Sequence, residues 1–171
     1  MIAVLNTTPL NYLLQIGHAD LLPQLYGRVL VPGAVQQELT HPRAPELVRA
    51  WATAPSAWLE VVSVAVLPDP ALAALHLGER EALALAQEVG ADLLVIDERA
   101  ARQEAQRRGL KVTGTLGVLD TAAARGFLDL RSALERLQQT SFHISAALLQ
   151  SFLERNTLRI PDPKPELDLE P

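Results

Sequence analysis

The chain has no cysteine, so a disulfide framework, a thiolate zinc site and a cysteine nucleophile are all excluded. Any metal must be held by oxygen or imidazole ligands, and oxygen favours magnesium or manganese. No apolar run approaches the ~18 residues that a membrane span needs. The opening Met1-Ile2-Ala3-Val4-Leu5 lacks the basic segment and cleavage site of a secretory signal, so no membrane association and a cytoplasmic location are expected. Nucleotide-binding signatures are also missing. No Gly-x-Gly-x-x-Gly follows a strand, no Gly-Lys-Ser/Thr occurs, and the sparse serines form no nucleophile elbow. His18, His41, His76 and His143 lack metal-ligand spacing, which leaves them surface or capping roles. A net charge of -5 argues against a surface coated for indiscriminate nucleic-acid binding.

What is present is the composition of a folded domain. Of 171 residues, 49% are hydrophobic and 20% charged, enough for one proper core and too few residues for two ordinary domains with a linker. Apolar runs at 2–5, 28–32, 58–64, 92–96 and 110–113 read as strands, the one at 92–96 most clearly. Between them, helical patterns cover 9–16, 19–26, 33–40, 46–52, 71–89 with an interruption at Gly78, and 99–108. Further helices follow at 116–124, 130–139 and 145–154, the last with Ser145 as N-cap. Strands alternating with helices imply parallel pairing, because parallel neighbours need a crossover. The expected fold is α/β, an open, mainly parallel five-stranded sheet with helices on both faces. It spans 1–155 and is followed by a flexible, acidic, proline-rich tail over 156–171.

In such a sheet, ligands bind beyond the carboxyl ends of the strands. Asn6, Thr7 and Thr8 follow the first strand, Asp97 and Glu98 follow the fourth, Glu38 lies in the helix after the second, and Glu81 opens the helix before the fourth. Carboxylates converging in a cleft repel one another unless a cation neutralises them. A divalent ion would make such a cluster a phosphodiester-hydrolysing site. Each residue also has an ordinary structural use. Asp97 can cap the helix that follows it, Asn6 or Thr8 can cap the first helix, and Glu38 and Glu81 can be solvated helix residues. Arg99, Arg102, Arg107, Arg108 and Lys111 crowd the stretch after Asp97, either as the wet face of a helix or as a rim that steers a phosphate backbone.

Four segments occur in a telling order: Leu5-Asn6-Thr7-Thr8-Pro9-Leu10, then Val31-Pro32-Gly33-Ala34-Val35-Gln36-Gln37-Glu38-Leu39, then Gly78-Glu79-Arg80-Glu81-Ala82-Leu83-Ala84-Leu85-Ala86, then Leu94-Val95-Ile96-Asp97-Glu98-Arg99. Together they resemble the PIN domain family, in particular its small, stand-alone, toxin-like prokaryotic branch. Gly114-Thr115-Leu116-Gly117 and Phe142-His143-Ile144-Ser145 suit the same branch. The resemblance, over roughly 1–155, implies a metal-dependent endoribonuclease that uses Mg2+ or Mn2+. Asn6, Glu38, Glu81 and Asp97 would be the metal-organising groups, with Glu38, Glu81 and Asp97 catalytic. Thr8, Arg99 and Arg102 would support the site. Glu79 competes with Glu81 for the third place, and Glu98 less strongly with Asp97. RNA as substrate, an antitoxin-like protein partner and a homodimer are further implications.

The sequence departs from the family pattern at Asn6, where an aspartate is expected. The amide keeps an oxygen but removes one negative charge, which weakens cation binding. A catalytically impaired binding or regulatory module therefore stands as the alternative. A receiver-like phosphoryl-transfer domain is disfavoured, because Leu5-Asn6 and Ser63-Val64 lack the acidic residues it needs.

Overall fold

The computed structural model describes residues 1–65 and 69–158. Its strands are β1 (Ile2–Leu5), β2 (Arg28–Pro32), β3 (Leu59–Val62), β4 (Leu93–Val95) and β5 (Val112–Thr113). Its helices are α1 (Thr7–Gln15), α2 (Leu21–Tyr26), α3 (Gly33–Thr40), α4 (Glu46–Thr53), α5 (Leu77–Glu88), α6 (Arg99–Arg107), α7 (Thr115–Ala124), α8 (Leu130–Gln138) and α9 (Ala146–Leu158), with a 3-10 turn at Pro70–Leu72. All described strand pairs are parallel, in the order β3-β2-β1-β4-β5. The α/β expectation therefore holds.

Strand order follows from chemistry. Ala3, Val4 and Leu5 have no exposed surface, as befits a central strand covered on both faces. Val4, Leu30, Leu94 and Ile96 share one cluster with Leu83 and Ala86 of α5 and with Ala101 and Ala105 of α6. Ala3, Leu5, Val29, Val31 and Val95 alternate with them, are equally buried, and by the two-residue period face the opposite side. Each fully buried Leu, Ile or Val contributes about 1.5–3 kcal/mol. The sheet is thus the organising element of the first compact unit, Met1–Leu116. A second unit begins at Gly117. Within it α8 buries Leu130, Ala133, Leu134 and Leu137, Asp129 accepts the Ser132 N–H at 2.7 Å, and Ser145 accepts the Leu148 N–H at 3.2 Å.

Several boundaries move for identifiable reasons. The third strand is shorter than 58–64, because β2 is its partner and the register runs out at Pro32↔Val62. The break expected at Gly78 falls at 73–76 instead, and Gly78 lies inside the first turn of α5. Residues 156–158 extend α9, so the helix outlasts the expected boundary at 155. The rest of the expected tail, 159–171, lies outside the described residues. Among those described, no helix is long and apolar enough to cross a membrane.

Candidate functional site

The chain runs outward from β1 to β2 and β3 on one side and returns to β4 and β5 on the other, so the order of strands reverses between β1 and β4. Ligands of open α/β sheets sit at such a switch point, outside the carboxyl ends of the strands. Asn6 is there. Its N–H donates to the Val95 carbonyl at 3.0 Å, which extends the β1–β4 pairing by one residue and brings Asn6 alongside the end of β4, just before Asp97.

Asn6 occupies the N-cap position of α1, with extended backbone at φ -86° and ψ 169°, yet its side chain makes no capping hydrogen bond. The residue is 4% exposed, and its Oδ1 is buried without a hydrogen-bond partner among the described residues. A carbonyl oxygen so placed costs about 1–3 kcal/mol until something satisfies it. The default capping role is therefore not what holds this side chain.

Asp97 departs from its default in the same way. The N-cap of α6 is Glu98, whose carboxylate accepts the Ala100 N–H at 3.5 Å. Asp97 turns instead to the start of α7, accepting the Thr115 N–H at 2.8 Å and the Thr115 hydroxyl at 2.6 Å. Burial pushes the Asp97 carboxyl above the ordinary aspartate range, against the pull of the two Thr115 hydrogen bonds and of Arg102. A Cβ on Gly114 would collide with Asp97 Oδ1 and stand 2.8 Å from Arg102 Nη1. A side chain here would have to displace the carboxylate and the guanidinium from where they approach the chain.

Glu38, exposed on α3, accepts a hydrogen bond from the Thr7 hydroxyl. Its Oε1 would lie 2.6 Å from a Cβ on Gly78, so its carboxylate rests against the first turn of α5. The positive end of that helix suits an anion. The hydroxyl that reaches this carboxylate is Thr7's, and Thr8 follows it in the same turn, half-buried.

The two glutamates of α5 divide the work. Glu81 accepts the Ala34 N–H at 2.8 Å, satisfying an orphan donor in the first turn of α3, the helix that carries Glu38. Glu79 is buried and accepts the His76 N–H at 3.0 Å. Desolvation raises its carboxyl above the usual range, the His76 contacts oppose this, and the charges of Glu98 and Glu38 raise it further. Glu38 and Glu98 therefore both lie within electrostatic reach of Glu79. Of the two residues the sequence weighed for the third acidic place, Glu79 is the one that feels the charges of Glu38 and Glu98, while Glu81 holds the Ala34 N–H.

The arginines of α6 do not form one rim. Arg108 binds Asp69 at 2.5 Å and Glu104 at 2.7 Å, and Arg107 pairs with Glu104. These two are engaged in intramolecular ion pairs. Arg102 faces Asp97, and Arg99 is exposed at the start of α6. Sequence reasoning passed over Thr7 and Thr115 as partners of the carboxylates, and Gly78 and Gly114 as their seats. The glycines were a signal, since each stands where a side chain from another element must come close.

The donor set fits a hard divalent cation in kind: carboxylates, an amide oxygen and hydroxyls, with one buried oxygen unsatisfied. Among the described residues, no three His, Cys, Asp or Glu side chains are grouped so as to hold an ion by themselves. A divalent ion held here would have to keep part of its water shell. A family model described as PIN domain matches residues 2–157. No curated protein matches the sequence. Among solved structures, a PilT N-terminus domain protein from the hyperthermophilic archaeon Sulfolobus solfataricus matches with a TM-score of 0.51 and 15% identity, over 85% of this chain and 100% of that one, a likeness of fold. With the family match covering both compact units, the chain belongs to the PIN domain family.

Proposed function

We propose that the protein is a metal-dependent ribonuclease of the PIN type, working with Mg2+ or Mn2+. The observation that carries this reading is the buried, unpartnered Oδ1 of Asn6 at the β1–β4 switch point, beside an Asp97 whose helix-capping role has been taken by Glu98. Family membership supports it, since PIN domains generally use divalent ions.

In this reading Asn6 and one or two of the carboxylates of Glu38, Glu79 and Asp97 touch the ion directly, the others act through its waters, and Glu81 is a positioning residue that fixes the start of α3. The ion, when bound, activates water and offsets charge on the phosphate in the transition state. Thr7 fixes the Glu38 carboxylate and Thr115 fixes that of Asp97, so both ligands are pre-oriented by neutral donors. Arg102, drawn to Asp97, presents a guanidinium to a phosphate oxygen. A homodimer and an antitoxin-like partner belong to the same proposal.

The test is cleavage of single-stranded RNA in Mn2+ by the wild type, Asn6→Asp and Asp97→Asn. Metal-dependent cleavage by the wild type, a faster Asn6→Asp and an inactive Asp97→Asn are expected. No cleavage by the wild type or by Asn6→Asp would remove the proposal. A second reading, a binding module that has lost catalysis, is favoured by the missing charge at Asn6. It predicts RNA binding without turnover, and turnover restored by Asn6→Asp.

A further inference from the structure

A cavity of about 560 Å3 adjoins the acidic cluster, and the roles above leave it unused. It is bounded by α1, α3, the turn 41–45 and the first residue of α5. Its volume lies within the ~300–1,000 Å3 of small-molecule sites, and its walls combine aliphatic surface with the polar side chains of Thr7, Asn11, Gln37, Glu38, His41 and Arg43. Thr7 and Glu38 belong both to the cavity and to the candidate metal cluster, so whatever fills it abuts the reacting centre.

The polar groups indicate what that occupant is. Asn11 lines the cavity, and its Oδ1 is buried with no hydrogen-bond partner among the described residues. Turned into the cavity, a primary amide in need of a donor matches an exocyclic amino group, because asparagine pairs in bidentate fashion with the N6/N7 edge of adenine. Leu77, 47% exposed, offers an apolar wall against which a flat base can lie. At the other side are two cationic or donor groups. Arg43 is exposed, and His41 Nδ1 accepts the Arg43 N–H at 3.1 Å. That bond makes Nε2 the protonated ring nitrogen of a neutral His41 and a free direction for donation. Guanidinium and imidazole N–H together suit a phosphate.

We infer that this cavity is a subsite for one unpaired nucleotide of the RNA, preferring adenine. The base lies against Leu77 and pairs with the Asn11 amide, and the adjoining phosphate is held by Arg43 and His41. A base can enter only when unstacked and unpaired, so the subsite selects single-stranded RNA. The inference rests on the ribonuclease reading through the shared Glu38, and the experiment separates the two.

The full-length protein is titrated in EDTA with adenosine 5′-monophosphate, cytidine 5′-monophosphate and inorganic phosphate, followed by NMR. The wild type is compared with Arg43→Ala, Asn11→Ala and Ala44→Trp, the last of which fills the cavity. Saturable adenosine monophosphate binding is expected, about fivefold or more tighter than cytidine monophosphate. Arg43→Ala should weaken both nucleotides about tenfold. Asn11→Ala should erase the difference between the bases, and Ala44→Trp should abolish both. Nucleotide affinity unchanged in Arg43→Ala and Asn11→Ala, or phosphate bound as tightly as the nucleotides, overturns the subsite even if Ala44→Trp misfolds. Nucleotide binding without metal-dependent cleavage removes the ribonuclease and keeps the subsite. Cleavage by a wild type that binds no nucleotide does the reverse.

Discussion

A buried amide oxygen without a donor and a buried carboxylate with raised affinity for protons are both costs to the folded chain, and Asn6 and Asp97 place them at adjoining strand ends. Such costs are tolerated where function needs them. The sign for Asp97 follows from linkage. Its folded pKa is raised, so the native state binds the proton more tightly than the unfolded chain, and stability falls as pH rises through the interval between the two values. In metal-free buffer Asp97→Asn should therefore melt higher than the wild type at neutral pH, with the gain shrinking below the ordinary aspartate pKa. An unchanged or lower melting temperature at pH 7 would contradict the burial argument. At Gly114, a Cβ meets the Asp97 carboxylate. Gly114→Ala should then lower Mn2+ affinity by about tenfold or more, as loss of a supporting contact does, measured by calorimetry. Both strand-end residues were legible in the sequence because β-strand ends are marked by a switch from apolar to polar residues. Their partners were not. Thr115 stands 18 residues from Asp97, and Gly78 stands 40 from Glu38, and only the folded chain shows which side chain approaches which backbone.

Helices α3 and α5 show a similar division at the scale of elements. Their periodicity and approximate ends were readable, and so was the competition between Glu79 and Glu81, because both lie in the first turns of α5. What distinguishes them in the fold is a tertiary contact, the N–H of Ala34 on Glu81, with no local signature. Glu81→Gln keeps an acceptor for that N–H and should leave both stability and Mn2+ affinity near wild type. Glu81→Ala should cost about 1–3 kcal/mol in urea unfolding, the penalty for leaving the buried Ala34 N–H without an acceptor. Glu79→Gln should weaken Mn2+ while the fold persists. If Glu81→Gln loses the metal and Glu79→Gln retains it, the two assignments are exchanged. The edge strands β3 and β5 were over-long in the sequence reading for a common reason. An apolar run says which residues prefer extended backbone, whereas the strand lasts only as long as its single partner.

Across the first compact unit, the parallel sheet and its helical cover were the most legible features, since alternation of strands and helices leaves few topologies. The basic cluster after Asp97 was the least legible. Charge density alone did not reveal that Arg108 joins Asp69, ahead of α5, to Glu104 on α6, whose side chain is 7% exposed. Arg108→Ala strips a largely buried carboxylate of a partner. A loss of about 3 kcal/mol is expected, roughly 6–12 °C in melting temperature, with RNA affinity little changed. A variant as stable as wild type but deficient in RNA binding would return Arg108 to the substrate rim. The Arg108 guanidinium holds Asp69 below the ordinary aspartate range, so this pair's contribution is present at neutral pH and lost on acidification through the lowered value.

The central claim is that side chains from β1, α3, α5 and the end of β4 gather around one divalent cation. Anomalous diffraction from a manganese-soaked crystal tests it most directly. The account predicts a single strong peak touching Asn6 Oδ1 and at least one carboxylate of Glu38, Glu79 or Asp97. A saturating soak that leaves this cleft without a peak, or places manganese only elsewhere on the surface, would contradict it.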